Sequence, residues 1–201
     1  MVKLAVVDHG AGNLVSIRQG LEEVGAEVEV VTTPDFGDAD GVVLPGVGAT
    51  AATMERLSAA GFVEPLRALT RPLLGVCVGM QVLFDTSAED GAECLGIISG
   101  TVERLRDAPR LPHMGWNELR IVRPDPLLAG LGDQPLFYFV HSYAPLPLDP
   151  SVVVATASHG TPLVAAVRQR NVWGAQFHPE RSGPAGLRLL ANFTKEVQRA
   201  A

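Results

Sequence analysis

The sequence predicts an α/β fold: a three-layer sandwich with a central, mostly parallel mixed sheet flanked by helices, plus a small antiparallel extension. Three observations carry this. From Leu4 to Gln81, short apolar runs alternate with helix-spaced segments, the βαβ pattern of a parallel sheet. The run Leu73-Leu74 passes through Gly75-Val76-Cys77-Val78-Gly79 straight into a helical stretch. Beyond Ile97, short strands follow one another across proline- and glycine-rich turns with no helices between them.

The elements read as follows. Leu4–Val7 is a buried strand, apolar on both faces as parallel sheets require. Asp8–Asn13 turns the chain, Asn13 sits where an N-cap belongs, and Leu14, Ile17, Leu21 and Val24 recur at helical spacing before Gly25. Val28–Val31 gives a second strand, parallel to the first through a right-handed crossover. Gly10-Ala11-Gly12 lacks the third glycine of a dinucleotide fingerprint, and Asp8 puts a carboxylate where phosphates would sit. No nucleotide cofactor is expected. Gly41–Leu44 is a third strand running into the loop Pro45-Gly46-Val47-Gly48, and Thr50–Leu69 is helical with a break near Gly61.

Asp85–Glu93 is acidic and loop-like. Thr101–Arg106, Glu118–Val122, Leu136–Val140, Val152–Ala155, Leu163–Val167 and Val172–Phe177 fit strands, with Pro112–Asn117 as a loop. The last helix runs from about Ala185 to Arg199, with Leu187, Leu190, Ala191 and Val197 on its buried side.

Bulk properties narrow the function. A chain of 201 residues, 47% hydrophobic and 19% charged, suits one domain over 1–201 with a sizeable core. A formal net charge of −6 argues against nucleic acid or an anionic membrane as the main partner. The start Lys3–Asp8 lacks the build of a signal peptide, and no apolar run is long enough to cross a bilayer. Two cysteines, Cys77 and Cys94, make no disulfide framework and lack zinc-ligand spacing, so neither staple nor metal is expected. A soluble, cytoplasmic protein is the expectation, with Cys94 an inert thiol and Cys77 the working one.

Cys77 stands out because Gly75 and Gly79 flank it at a strand-to-helix turn, the build of a nucleophile elbow. Removing neighbouring side chains exposes the sulfur, and a following helix N-terminus favours the thiolate. A base and its orienter are available downstream in Phe177-His178-Pro179-Glu180, where proline limits how far the histidine and the carboxylate diverge. His141, at the end of another strand, is a weaker candidate base.

Together, Pro45–Gly48, Gly75–Gln81 and Phe177–Glu180 resemble the class I (triad) glutamine amidotransferases, over essentially the whole chain. Pro112-His113-Met114-Gly115-Trp116-Asn117 narrows the likeness to the glutaminase subunits of imidazole glycerol phosphate synthases. The resemblance implies a flavodoxin-like core and hydrolysis of glutamine to glutamate and ammonia through a Cys77–His178–Glu180 triad. It implies backbone N–H donors from Val47 and Val78 as the oxyanion hole. Gly46, Gly48, Gln81, His141, Ser142 and Tyr143 would hold glutamine. Asn13, Met114, Trp116, Asn117 and Arg181 would face a (β/α)₈-barrel cyclase partner, with arginine at 181 where the family commonly has lysine. A Val47 peptide between two glycines could also turn its N–H away from the site at low cost.

Two other readings share parts of this pattern. One is a glutaminase subunit serving another synthase, such as pyridoxal phosphate synthase; Pro112–Asn117 and Arg181-Ser182 speak against it. The other is a peptidase-like or non-catalytic relative, against which the complete triad, Gln81 and the Pro45–Gly48 loop argue.

Overall fold

The computed structural model describes residues 1–201. Its strands are β1 (Lys3–Val7), β2 (Glu27–Val31), β3 (Gly41–Gly46), β4 (Leu73–Cys77), β5 (Thr86–Ser87), β6 (Ala92–Glu93) and β7 (Gly100–Arg104). There follow β8 (His113–Glu118), β9 (Arg120–Ile121), β10 (Leu136–His141), β11 (Tyr143–Pro147), β12 (Val153–His159), β13 (Thr161–Gln169) and β14 (Val172–Ala175). The helices are α1 (Leu14–Glu23), α2 (Thr50–Ala59), α3 (Val63–Arg67), α4 (Val78–Gln81) and α5 (Gly183–Ala200).

The main sheet has eight strands in the order β2-β1-β3-β4-β14-β13-β12-β9. From β2 to β14 every neighbour is parallel; from β14 to β9 every neighbour is antiparallel. The central β3 and β4 are buried at every residue, which is why they read as unbroken apolar runs. Beside this sheet stand a four-stranded one, β11-β7-β5-β6, and a ribbon of β10 with β8.

Helix α5 buries Leu189, Leu190, Phe193 and Val197. The expected stripe is rotated slightly: Leu190 and Val197 are buried, Leu187 and Ala191 only half-buried. Two glycines let this helix seat closely. A Cβ on Gly20 of α1 would come 2.8 Å from Leu190, and one on Gly41 of β3 would come 2.7 Å from Val197.

Three local expectations are corrected. Pro112–Asn117 is not a loop, since His113–Glu118 forms β8. Its inner face carries the polar His113 and Asn117 while Met114 and Trp116 face out, so the alternation is inverted and does not announce a strand. Glu118–Val122 does not continue as one strand, because the chain leaves the ribbon after Glu118 and joins the main sheet as β9. Asp85–Glu93 is not irregular throughout; β5 and β6 pair, and the turn between them ends at Asp90 and Gly91 with φ of 60° and 65°. Asp-Gly is a familiar hairpin signal.

Candidate active site

The register of the parallel strands builds the site. Gly46 pairs with Cys77 across β3–β4, and Ala175 pairs with Val76 across β14–β4. Three strands therefore end side by side, and the segments leaving them meet beyond their carboxyl ends, where open α/β sheets bind ligands.

Cys77 occupies φ 55°, ψ −112°, a left-handed conformation that a β-carbon disfavours. Strain of this kind persists only where the surroundings enforce it. Here the surroundings are three glycines. A Cβ on Gly79 would sit 1.8 Å from the Leu44 carbonyl oxygen, and one on Gly75 would sit 2.6 Å from that of Gly79. A Cβ on Gly46 would lie 2.8 Å from the Gly79 nitrogen. The backbone of the elbow is thus packed against the backbone of β3, with no volume for side chains. The helix that follows, α4, has only four residues, so the field at the sulfur comes from the free N–H groups of its first turn rather than a long dipole.

The sulfur opens into a cavity of about 180 Å³ lined by Val47, Gly48, Val78, Gln81, Glu89, Val140, His141, Ser142, Tyr143 and His178. His178 leaves the end of β14, and its Nδ1 donates to Glu180 Oε1 at 2.9 Å. His178 Nε2 is buried with no hydrogen-bond partner, on the cavity it shares with the Cys77 sulfur. Burial pulls the imidazolium down, but the Cys77 sulfur and Glu180 outweigh it and raise the pKa to about 10. The single 3-10 turn after His178, Pro179–Arg181, is pinned by Ser182, whose hydroxyl donates to the His178 carbonyl at 2.6 Å and accepts from the Tyr138 N–H at 3.0 Å.

His141 is buried and committed elsewhere: Nδ1 donates to the Tyr143 carbonyl at 2.8 Å, and Nε2 pairs with His113 Nδ1 at 2.9 Å. Burial, foremost, lowers its pKa to about 3. A ring with both nitrogens occupied cannot serve as the base. Gln81 Nε2 donates to the Tyr143 carbonyl at 2.9 Å and to Gln176 Oε1 at 3.1 Å. Its own oxygen is left for a ligand in the cavity.

Gly48 has φ +92° and open space around it, whereas Gly46 is locked in β3 beneath Gly79 and is absent from the cavity wall. Freedom at the Val47 peptide therefore lies on one side only. His9, unmentioned by any sequence signal, donates from Nε2 to the Pro45 carbonyl at 2.9 Å and steadies the start of this loop.

The expected interface residues divide by strand alternation. Met114 and Trp116 are 62% and 57% exposed, on the outer face of β8. Trp116 stands edge-on to Tyr138, and the Arg181 guanidinium lies 4.3 Å above the same Tyr138 ring, a cation–π contact. Asn117 points to the inner face, donating to His113 Nε2 at 3.0 Å and to the Ser158 carbonyl at 2.8 Å. Asn13 is at the α1 N-cap position without capping; its amide makes a long 3.5 Å contact to Glu180 Oε1 instead.

Two residues were missed from sequence, one on the cavity and one buried behind it. Glu89, in the β5–β6 turn, accepts from the Thr50 N–H at 3.0 Å and offers the cavity a carboxylate suited to an ammonium. The Asp90-Gly91 turn signal was the clue to its placement. Gln176, fully buried, has Nε2 3.9 Å from Cys77 Sγ; nothing in its spacing distinguishes it from a core strand residue. Cys94 is buried away from the cavity, and burial raises its thiol to about 11.

Comparison with known proteins agrees with this arrangement. The family model for "Glutamine amidotransferase class-I" matches residues 5–197. The imidazole glycerol phosphate synthase subunit HisH of Synechococcus sp. (strain JA-3-3Ab) is 51% identical, covering 98% of this chain and 95% of that one. The subunit of the same name from Synechococcus sp. (strain JA-2-3B'a(2-13)) is 47% identical, covering 100% and 95%. A solved glutamine amidotransferase superposes with a TM-score of 0.77 at 21% identity, covering 96% of this chain and 98% of that one, a likeness of fold. With its family matched over nearly its whole length, and relatives about half identical from end to end, this chain belongs to the class-I glutamine amidotransferases, among the HisH subunits of imidazole glycerol phosphate synthase.

Proposed function

We propose that this chain, as one domain over 1–201, hydrolyses glutamine to glutamate and ammonia. It hands the ammonia to a cyclase subunit that makes imidazole glycerol phosphate and AICAR in histidine biosynthesis. The observation that carries this reading is the buried His178–Glu180 pair, 2.9 Å apart, in a cavity it shares with the strained Cys77 elbow.

In this mechanism the Cys77 thiolate attacks the side-chain amide carbon of glutamine. The developing oxyanion is stabilised by the N–H groups of Val78, at the first turn of α4, and of Val47, in the loop held by His9. His178, protonated between two anionic partners, gives its proton to the departing ammonia. The neutral imidazole then draws a proton from water, which hydrolyses the thioester. Glu180 keeps the ring oriented and its charge balanced. Gln81 Oε1, Glu89 and the backbone at Ser142 and Tyr143 would hold the amino-acid end of the substrate, a reading supported by their all lining the cavity.

The partner is read as a (β/α)₈-barrel cyclase. Support comes from the outward Met114, Trp116 and Arg181, which form an apolar and cationic patch on the segments bordering the cavity. No helix of the chain is long and apolar enough to cross a membrane, which agrees with a cytoplasmic enzyme. The test is ammonia release from glutamine by the chain alone and with the cyclase plus its nucleotide substrate. Turnover that needs Cys77 and rises with the cyclase is expected; a Cys77→Ala protein with unchanged turnover would sink the assignment.

A further inference from the structure

The amide of Gln176 has only one orientation consistent with its neighbours. The Tyr143 carbonyl can only accept, so the Gln81 atom 2.9 Å from it is the nitrogen. The second proton of that nitrogen goes to Gln176 at 3.1 Å, which makes the receiving atom the Gln176 oxygen. What remains, the Gln176 nitrogen, points at Cys77 Sγ, 3.9 Å away.

The starting carbonyl is itself held. His141 donates from Nδ1 to Tyr143, so its Nε2 must accept, and it accepts from His113 Nδ1. His113 Nε2 in turn accepts from Asn117 Nδ2. Each imidazole donates through one nitrogen and accepts through the other, and the bonds run one way from Asn117, whose amide also donates to the Ser158 carbonyl, to the Tyr143 carbonyl. Burial, foremost, keeps His113 at about 4 and His141 at about 3, so neither ring takes the second proton that would reverse the chain at neutral pH.

We propose that Gln176 is a catalytic residue of glutamine hydrolysis: its side-chain N–H donates to the Cys77 sulfur and holds it as the thiolate ahead of attack, in an orientation set by Gln81 and Tyr143. This rests on Cys77 being the nucleophile. Besides His178 on the same cavity, the sulfur has the Val140 carbonyl at 4.0 Å, which suits a thiol S–H and repels a thiolate. Gln176 favours the opposite protonation state, and a donor to a charged acceptor is the stronger kind of hydrogen bond. The same N–H meets the thiolate again when the thioester breaks down and sulfur leaves.

The test uses the full chain with Cys94→Ala, so that Cys77 is its only thiol. In that background Gln176→Met keeps the length of the side chain and removes the N–H. The rate of alkylation by iodoacetamide is followed against pH in both proteins. The other titratable groups on the cavity, Glu89, His141, Tyr143 and His178, and Glu180 behind it, are common to both. The midpoint should rise by about one pH unit in Gln176→Met, a tenfold loss of thiolate below it. With the cyclase present, kcat should fall about tenfold while KM for glutamine stays within about twofold, as for a group acting on the reacting atom.

An unchanged midpoint overturns the proposal. Should Gln176→Met not fold, the parent protein answers instead: the ¹H–¹⁵N side-chain signal of Gln176 must shift with the titration of Cys77 and cease to do so once Cys77 is alkylated. A signal blind to that titration also overturns it. If alkylating Cys77 leaves ammonia release intact, the nucleophile reading itself has failed; if alkylation abolishes release and the midpoint is unmoved, only the role of Gln176 has.

Discussion

Glu180 and His178 form a closed pair: their side chains are 2% and 4% exposed, and Nδ1 lies 2.9 Å from Oε1. Only one residue separates them, so the geometry is local, but the turn that carries them packs against α5, α1 and β10. Replacing the carboxylate with an amide keeps the volume and removes the charge that steadies the imidazolium. Glu180→Gln should therefore lower kcat for glutamine by about 10²–10⁴, with the fold intact, read by coupled ammonia release and circular dichroism. Full activity in this variant would dismiss the orienter role.

The raised pKa of His178 makes a statement about stability. Its folded value, about 10, lies above the ordinary histidine value of 6.5, so the stabilisation is fully present below pH 6.5 and is lost as pH rises toward 10. Thermal melts should fall across that window. Cys77→Ala removes one of the two raising partners, so the fall should flatten and the His178 proton signals should titrate at lower pH. Parallel melting curves for the two proteins would contradict this account.

The elbow leaves no volume at Gly79. An alanine β-carbon there would sit 1.8 Å from the Leu44 carbonyl oxygen, which is backbone of the central strand and cannot swing aside. Gly79→Ala should destabilise by more than about 3 kcal/mol, or prevent folding, as measured by urea unfolding. Gly10→Ala has no neighbour within 4 Å and faces only the φ of +82°. It should cost about 1 kcal/mol. A Gly79→Ala protein as stable as Gly10→Ala would refute the close approach.

Trp116 is exposed on the outer face of β8, against Tyr138 and beside Arg181. Trp116→Ala should weaken binding to the cyclase by about 2 kcal/mol, roughly thirtyfold, by calorimetric titration. Stability of the free chain should change by less than about 0.5 kcal/mol. Asn117, on the other face of the same strand, should show the reverse: little direct loss of contact, and a disturbed His113–His141 chain visible in the imidazole signals.

By itself the sequence determined the parallel half of the fold and singled out the three residues proposed as the triad, Cys77, His178 and Glu180. Their cause is local or periodic: buried strands must be apolar on both faces, a sharp elbow needs glycines on either side of its nucleophile, and His178 and Glu180 share one short segment. Tertiary structure alone decided what those residues meet. The β3–β4–β14 register brings Cys77 beside His178 from a hundred residues away, and a polar inner face turned Pro112–Asn117 from an expected loop into β8. Glu89, His9 and Gln176 reach the site through a turn, a strand end and a buried amide whose partners lie far along the chain. Hydrogen-bond direction is a property of such pairings, and no periodicity encodes it.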